Sequence, residues 1–231
     1  MSGKPVCVVV GVGPGLGEAY ARQFADAGWK VVVMSRTPNE ALAREIDGLA
    51  IACDATDDDS VRAAMESAAA EAGPVHTLVW NVGSGVFGTI DDVGVDALEL
   101  AWRTNVRGLF VATQAVLPGM RDAGEGNILV TSATAALRGK PFTTAFAAGK
   151  AGQKSLCESL ARQLGPEGVH VAMIVVDGMV DLPKTRERMP EKPDEFFVSP
   201  AGTAAVALHL AQQPRNAWTF QLEVRPHVES W

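Results

Sequence analysis

Val6-Cys7-Val8-Val9-Val10-Gly11-Val12-Gly13-Pro14-Gly15-Leu16-Gly17 is the stretch whose reading decides the fold. Five apolar residues, mostly β-branched and without alternation, have the length and pattern of a strand buried on both faces. Four glycines in the next seven residues then lead into a segment with helical spacing from Leu16 to Ala27. Lacking Cβ atoms, such a turn lets a ligand approach the backbone, and the following helix points free amides and the positive end of its dipole at that place. Strand, glycine turn and helix in this order suit a pyrophosphate, although a glycine run alone also serves as a tight turn.

Outward from this unit the pattern repeats. Apolar runs at Val31–Met34, Leu49–Ala52, Thr77–Trp80, Ile128–Thr131 and Val169–Val176 read as buried strands. Between them Ser60–Ala72, Val95–Met120 and Thr143–Leu164 read as helices. Gly28, the acidic run Asp57–Asp59 and Gly165-Pro166 mark helix ends. Strand and helix alternating along one chain predict a doubly wound α/β fold, a parallel sheet with helices on both faces. The rhythm breaks between Pro183 and Pro200, where four prolines and dense charge predict a loop or irregular lid of about residues 181–200 after a strand's carboxyl end.

Composition narrows the function. At roughly 150 residues per domain, 231 residues fit one large domain or two small ones, and no linker or repeat divides them, so a single domain over 1–231 is expected. The formal charge of −7, with no basic tract, argues against nucleic acid and anionic membranes as partners. Val6–Val10 is too short for a signal-peptide core and no run reaches about 18 apolar residues, so a cytoplasmic protein is expected. Cys7, Cys53 and Cys157 have no C-x-x-C spacing and read as buried thiols, while His76, His170 and His209 are too scattered to imply a metal.

Gly11, Gly15 and Gly17 form G-x-x-x-G-x-G, and here the chain resembles the short-chain dehydrogenase/reductase family. The resemblance covers nearly the whole chain: Asp54 stands where the family contacts adenine, Asn81-Val82-Gly83 matches most of its Asn-Asn-Ala-Gly turn, and Asn105 matches the asparagine of its catalytic tetrad. Val10 replaces a frequent threonine. The second strand ends in Met34-Ser35-Arg36, with no acid to accept from a ribose 2′-hydroxyl and a cation able to fork onto a 2′-phosphate, which favours NADP(H) over NAD(H). The resemblance and these arguments assign Gly11, Gly15, Leu16, Gly17, Ser35, Arg36, Asp54, Asn81, Gly83, Lys150 and Gly178 to the cofactor.

The catalytic pattern departs from the family. Its Tyr-x-x-x-Lys reads Phe146 and Lys150, so the lysine that holds ribose is kept and the tyrosine that donates a proton is not. Its serine position is Ala133; Ser132, one residue early, faces the other side of a strand. Asp177-Gly178 stands for Pro-Gly, Leu182 for the threonine that holds the carboxamide, and the single tyrosine, Tyr20, lies behind the phosphate loop. A positioned general acid is worth about 10²- to 10⁴-fold, so ordinary ketone reduction is expected to be impaired.

Two explanations follow. In the first, Asn105, Lys150 and Asp177 serve hydride transfer to a substrate needing little proton donation, such as a cationic imine paired with Asp177 or Asp181. In the second, the protein is a nucleotide-binding sensor or partner subunit, or a lyase, isomerase or cyclase. Ser84, Val86, Ala133, Phe142, Phe146 and the lid are expected to wall an apolar pocket for small ketones, enones or imines. The family resemblance implies a homodimer or homotetramer on the two long helices, and the run Trp218, Phe220, Arg225, His227 and Trp231 is expected to close a sheet edge or cross an interface.

Overall fold

The computed structural model describes residues 3–83 and 85–230. Its first half alternates β1 (Val6–Val10), α1 (Leu16–Asp26), β2 (Lys30–Ser35), α2 (Glu40–Glu45), β3 (Leu49–Ala52), α3 (Asp58–Ala72) and β4 (Val75–Trp80). Then come α4 (Val95–Trp102), a π-helical turn (Arg103–Arg107), α5 (Gly108–Ala123), β5 (Gly126–Ala133) and α6 (Thr144–Leu164). The remainder is β6 (Val169–Val176), β7 (Met179–Val180), α7 (Pro183–Arg188), β8 (Phe197–Val198), α8 (Pro200–Ala211) and β9 (Gln221–Val224).

Seven parallel strands lie in the order β3-β2-β1-β4-β5-β6-β9, the Rossmann-type sheet that the alternation predicts. The central strands are predominantly apolar because both faces are covered. Val8, Val10, Leu78, Trp80, Ile128 and Val130 meet α3, α5 and α6 on one side. Cys7, Val9, Val31, Val33 and Leu129 meet α1, α2 and α8 on the other. All three cysteines are buried and free. The strand order reverses between β1 and β4, so their carboxyl ends and the turn after β1 open one crevice.

Several expectations change in detail. The long helix predicted over Val95–Met120 is broken at Arg103–Arg107, where one turn widens to π geometry and buries Thr104, Asn105 and Val106. The stretch expected to be irregular carries α7 and β8, which pairs with β7. Pro183 begins α7 where a missing N–H matters least, and Arg186 ties the segment by bonding Asp181 and Asp194 and lying 4.1 Å from the Phe197 ring centroid. The C-terminal run supplies the edge strand β9, with Trp218 stacked on His170 at 4.8 Å. Ser84 and Trp231 lie outside the described residues.

Candidate functional site

The turn after β1 builds one end of the crevice. No side chain caps α1, whereas Asn39, Asp57 and Ser199 cap α2, α3 and α8, so the amides at the start of α1 are left for another acceptor. Gly15 sits at φ +107°, and a Cβ there would lie 1.9 Å from Cδ2 of Leu182, which folds down from the lid onto the turn. A Cβ at Gly17 would lie 2.5 Å from the Gly11 carbonyl oxygen. Asn81 pins the turn by donating from Nδ2 to that carbonyl at 3.0 Å, and the Gly11 and Val12 amides donate to the Met34 carbonyl.

From this turn a cleft of about 470 Å³ runs past Ser35, Arg36, Asp54 and Thr56. Among the described residues the Arg36 side chain makes no hydrogen bond or ion pair, while the Ser35 hydroxyl donates to the Thr37 carbonyl at 2.7 Å. Asp54 accepts from the amide and hydroxyl of Thr56 at 2.9 and 2.8 Å, which holds its carboxyl below the usual range, with Arg36 adding a smaller pull. A second cleft of about 740 Å³ extends the other way, lined by Leu16, Ala133, Phe142, Phe146, Lys150, Asp177 and Gly178. The two share Gly11, Asn81, Val82, Gly83 and Gly85, so they form one continuous groove. Val86, expected among the substrate-pocket residues, lines the smaller cleft; Phe87 stands in the larger one.

Lys150 stands where the clefts meet and is only 4% exposed. Its Nζ donates to the Thr131 carbonyl and to Oε1 of Gln153, both at 3.0 Å, and burial pushes its ammonium down to about 8. Asn105, fully buried in the π turn, donates from Nδ2 to the Ala101 carbonyl at 2.8 Å. A Cβ on Gly83 would lie 3.6 Å from Lys150 Nζ and 3.8 Å from Asn105 Oδ1, so the fold gathers these three. Phe146, one helical turn before Lys150, packs on Phe87 with ring centroids 4.9 Å apart and offers no proton. Ser132 alternates with Ala133 along β5, and its buried hydroxyl has no hydrogen-bond partner among the described residues. Tyr20 lines neither cleft: its hydroxyl meets Thr131 Oγ1 at 3.1 Å, and burial pushes it up to about 12.

The two acids offered to a cationic substrate are already paired. Asp177 is buried against Arg225, with Glu223 3.5 Å from the same guanidinium, and Asp181 is held by a two-pronged bond from Arg186 that keeps its carboxyl below the usual range. Arg225 lies 48 residues from Asp177, too far for spacing to suggest the pair. The cations at the mouth of the larger cleft, Arg138 and Lys140, have no side-chain partners among the described residues. Sequence reasoning also passed over Gln153, whose signal was a polar residue three positions after the lysine, on the same helix face.

A family model described as short chain dehydrogenase matches residues 5–193. The chain belongs to the short-chain dehydrogenase family. It is 30% identical over 242 residues to the 3-oxoacyl-(acyl-carrier-protein) reductase of Thermotoga maritima, covering 96% of each chain. A short-chain dehydrogenase from Rhodopseudomonas palustris superimposes with a TM-score of 0.83 at 31% identity, covering 96% of this chain and 99% of that one. A metagenomic short-chain oxidoreductase solved in complex with NADP gives a TM-score of 0.83 at 26% identity, covering 98% of both chains.

Proposed function

We propose that this protein is an NADP(H)-dependent oxidoreductase acting at a small hydrophobic C=O, C=N or activated C=C group. The observation that carries the reading is Lys150, a cation kept almost wholly buried at the junction of a phosphate-type turn and an apolar cleft. Burying an ammonium is unfavourable, and two neutral acceptors offset this only in part, so a site that retains it has a use for the charge. The residues present fit a nicotinamide dinucleotide: the turn at Gly11–Gly17 for the pyrophosphate, Arg36 for a 2′-phosphate, Asp54 for the adenine and Lys150 for the second ribose. When bound, that group supplies hydride.

This chain's residues would orient the substrate through the apolar faces of Phe87, Phe142 and Phe146. None of these three carries a proton to give. With Asp177 and Asp181 already paired, a substrate whose reduction draws its proton from solvent fits this site better than a cationic imine. The whole chain acts as one nucleotide-binding unit under this reading. A homodimer or homotetramer is supported by Leu98, Leu100, Trp102 and Phe110, which α4 and α5 leave exposed, and a cytoplasmic location fits three free thiols.

The test is calorimetric titration of nucleotide-free protein with NADPH and with NADH at matched salt. NADPH is expected to bind at least about tenfold tighter, an advantage lost in Arg36→Ala because one charge-assisted contact to phosphate disappears. No binding of either nucleotide would overturn the reading. The packing of Phe146 on Phe87 favours one alternative, a nucleotide-binding protein without redox chemistry. Tight NADPH binding with no consumption across ketones, enones and imines would assign that instead.

A further inference from the structure

Gln153 is a fully buried amide on the inner face of α6, with one end bonded within the helix and the other across to the π turn. Its Nε2 donates to the Asn105 carbonyl in the π turn at 3.0 Å, and its Oε1 accepts from Lys150 Nζ at 3.0 Å. An ammonium only donates and a carbonyl only accepts, so this is the one orientation of the amide that satisfies both. A π turn displaces its carbonyls from the regular helical ladder, and here an outside side chain takes one of them up.

We propose that Gln153 is a positioning residue: it ties the Lys150 ammonium to the π turn so that one remaining N–H is held toward the junction of the two clefts. Of the three N–H bonds on Nζ, Thr131 and Gln153 take two, and tetrahedral geometry fixes the direction of the third. Gly83, whose missing Cβ would lie 3.6 Å from Nζ, leaves that side open. The proposal rests on the nucleotide-binding reading only for the identity of what the third N–H grips.

Gln153 also sustains the charge on Lys150. A neutral acceptor favours the ammonium against the burial that works to discharge it. Of the other groups around it, Cys157, two turns along α6, adds a smaller pull toward the charged form, while burial pushes its own thiol up to about 12. On the π turn, Arg103 faces Glu99 and Arg107 is bonded to Asp58 at the surface, while β5 contributes only the Thr131 carbonyl.

The experiment is an NMR titration of the nucleotide-free full chain carrying 13C-labelled lysine, with the Lys150 signal assigned through Lys150→Met. Lys150 in the unaltered protein is expected to titrate at about 8. Gln153→Met is expected to lower that midpoint by about one pH unit and Gln153→Glu to raise it by about as much. Loss of packing alone would lower the melting temperature without moving the midpoint. The same midpoint in all three proteins overturns the proposal; should Gln153→Met fail to fold, the near-isosteric Gln153→Glu decides alone. NADPH calorimetry over roughly pH 6 to 10 is expected to show affinity falling at each protein's own midpoint. Absence of NADPH binding beside intact midpoint shifts would sink the nucleotide reading and leave the positioning role standing.

Discussion

Lys150→Met should make the protein more stable at neutral pH, and by an amount that falls as pH rises. Folding lowers the proton affinity of Lys150 from 10.5 to about 8 because the buried ammonium loses its water. At about 1.4 kcal/mol per pH unit, this is a penalty of about 3 kcal/mol wherever both folded and unfolded chains hold the proton, that is, below about pH 8. Methionine of similar volume removes the penalty but leaves the Thr131 carbonyl and Gln153 Oε1 without a donor, which takes back about 1 kcal/mol each. The variant is therefore expected to be about 1 kcal/mol more stable at pH 7. Between about 8 and 10.5 the unfolded chain keeps a proton that the folded one has released, so the unaltered protein gains stability with rising pH across this window. Its deficit against the variant should shrink by about 2 kcal/mol between about pH 7 and 10 and reverse in sign. Urea unfolding of both proteins at both pH values measures this, and comparing them cancels most of what Cys7, Cys53 and Tyr20, all raised by burial, contribute alike to each. A stability difference constant to within about 0.5 kcal/mol would refute the claim that Lys150 is a desolvated cation.

Tyr20→Phe is expected to cost about 1 kcal/mol of stability through loss of the bond to Thr131, with turnover and nucleotide affinity unchanged. A loss of turnover at unchanged NADPH affinity would put Tyr20 in the catalytic machinery. Phe146→Tyr places a phenol in the larger cleft one turn from Lys150 and is expected to raise ketone reduction by about 10- to 100-fold, because Ala133 still supplies no hydroxyl to complete the site. NADPH consumption with an aromatic ketone measures it; no gain at unchanged NADPH affinity would mean that position 146 does not face the reacting atoms.

The glycine turn after β1 was legible because it is local. A strand, a glycine turn and a helix adjacent in the chain necessarily build a cradle of amides, and Arg36 and Asp54 follow at the ends of the next two strands. The faces on which Phe146 and Ala133 lie were legible for the same reason, since helix and strand periodicity fix which face each presents. The π turn was not legible, because Val95–Met120 reads as one helix by its spacing and nothing in that pattern marks the turn that widens beside α6. The helix and short strand between Pro183 and Pro200 were missed because their order depends on Arg186 joining Asp181, Asp194 and Phe197 across the fold of the lid.

The same distinction governs the charges. Asp177 and Asp181 look like free acids near a substrate when read along the chain, yet β9 brings Arg225 to the first and α7 brings Arg186 to the second. Sequence by itself determined the alternation of strands and helices and the place of the glycine turn between β1 and α1, since each depends on neighbours within a few residues. Tertiary structure alone decided which charges are neutralised, that Leu182 covers the glycine turn and that Gln153 reaches the Asn105 carbonyl. Those contacts link residues far apart in the chain or on facing elements, and only packing sets the distances over which an ion pair or a hydrogen bond forms.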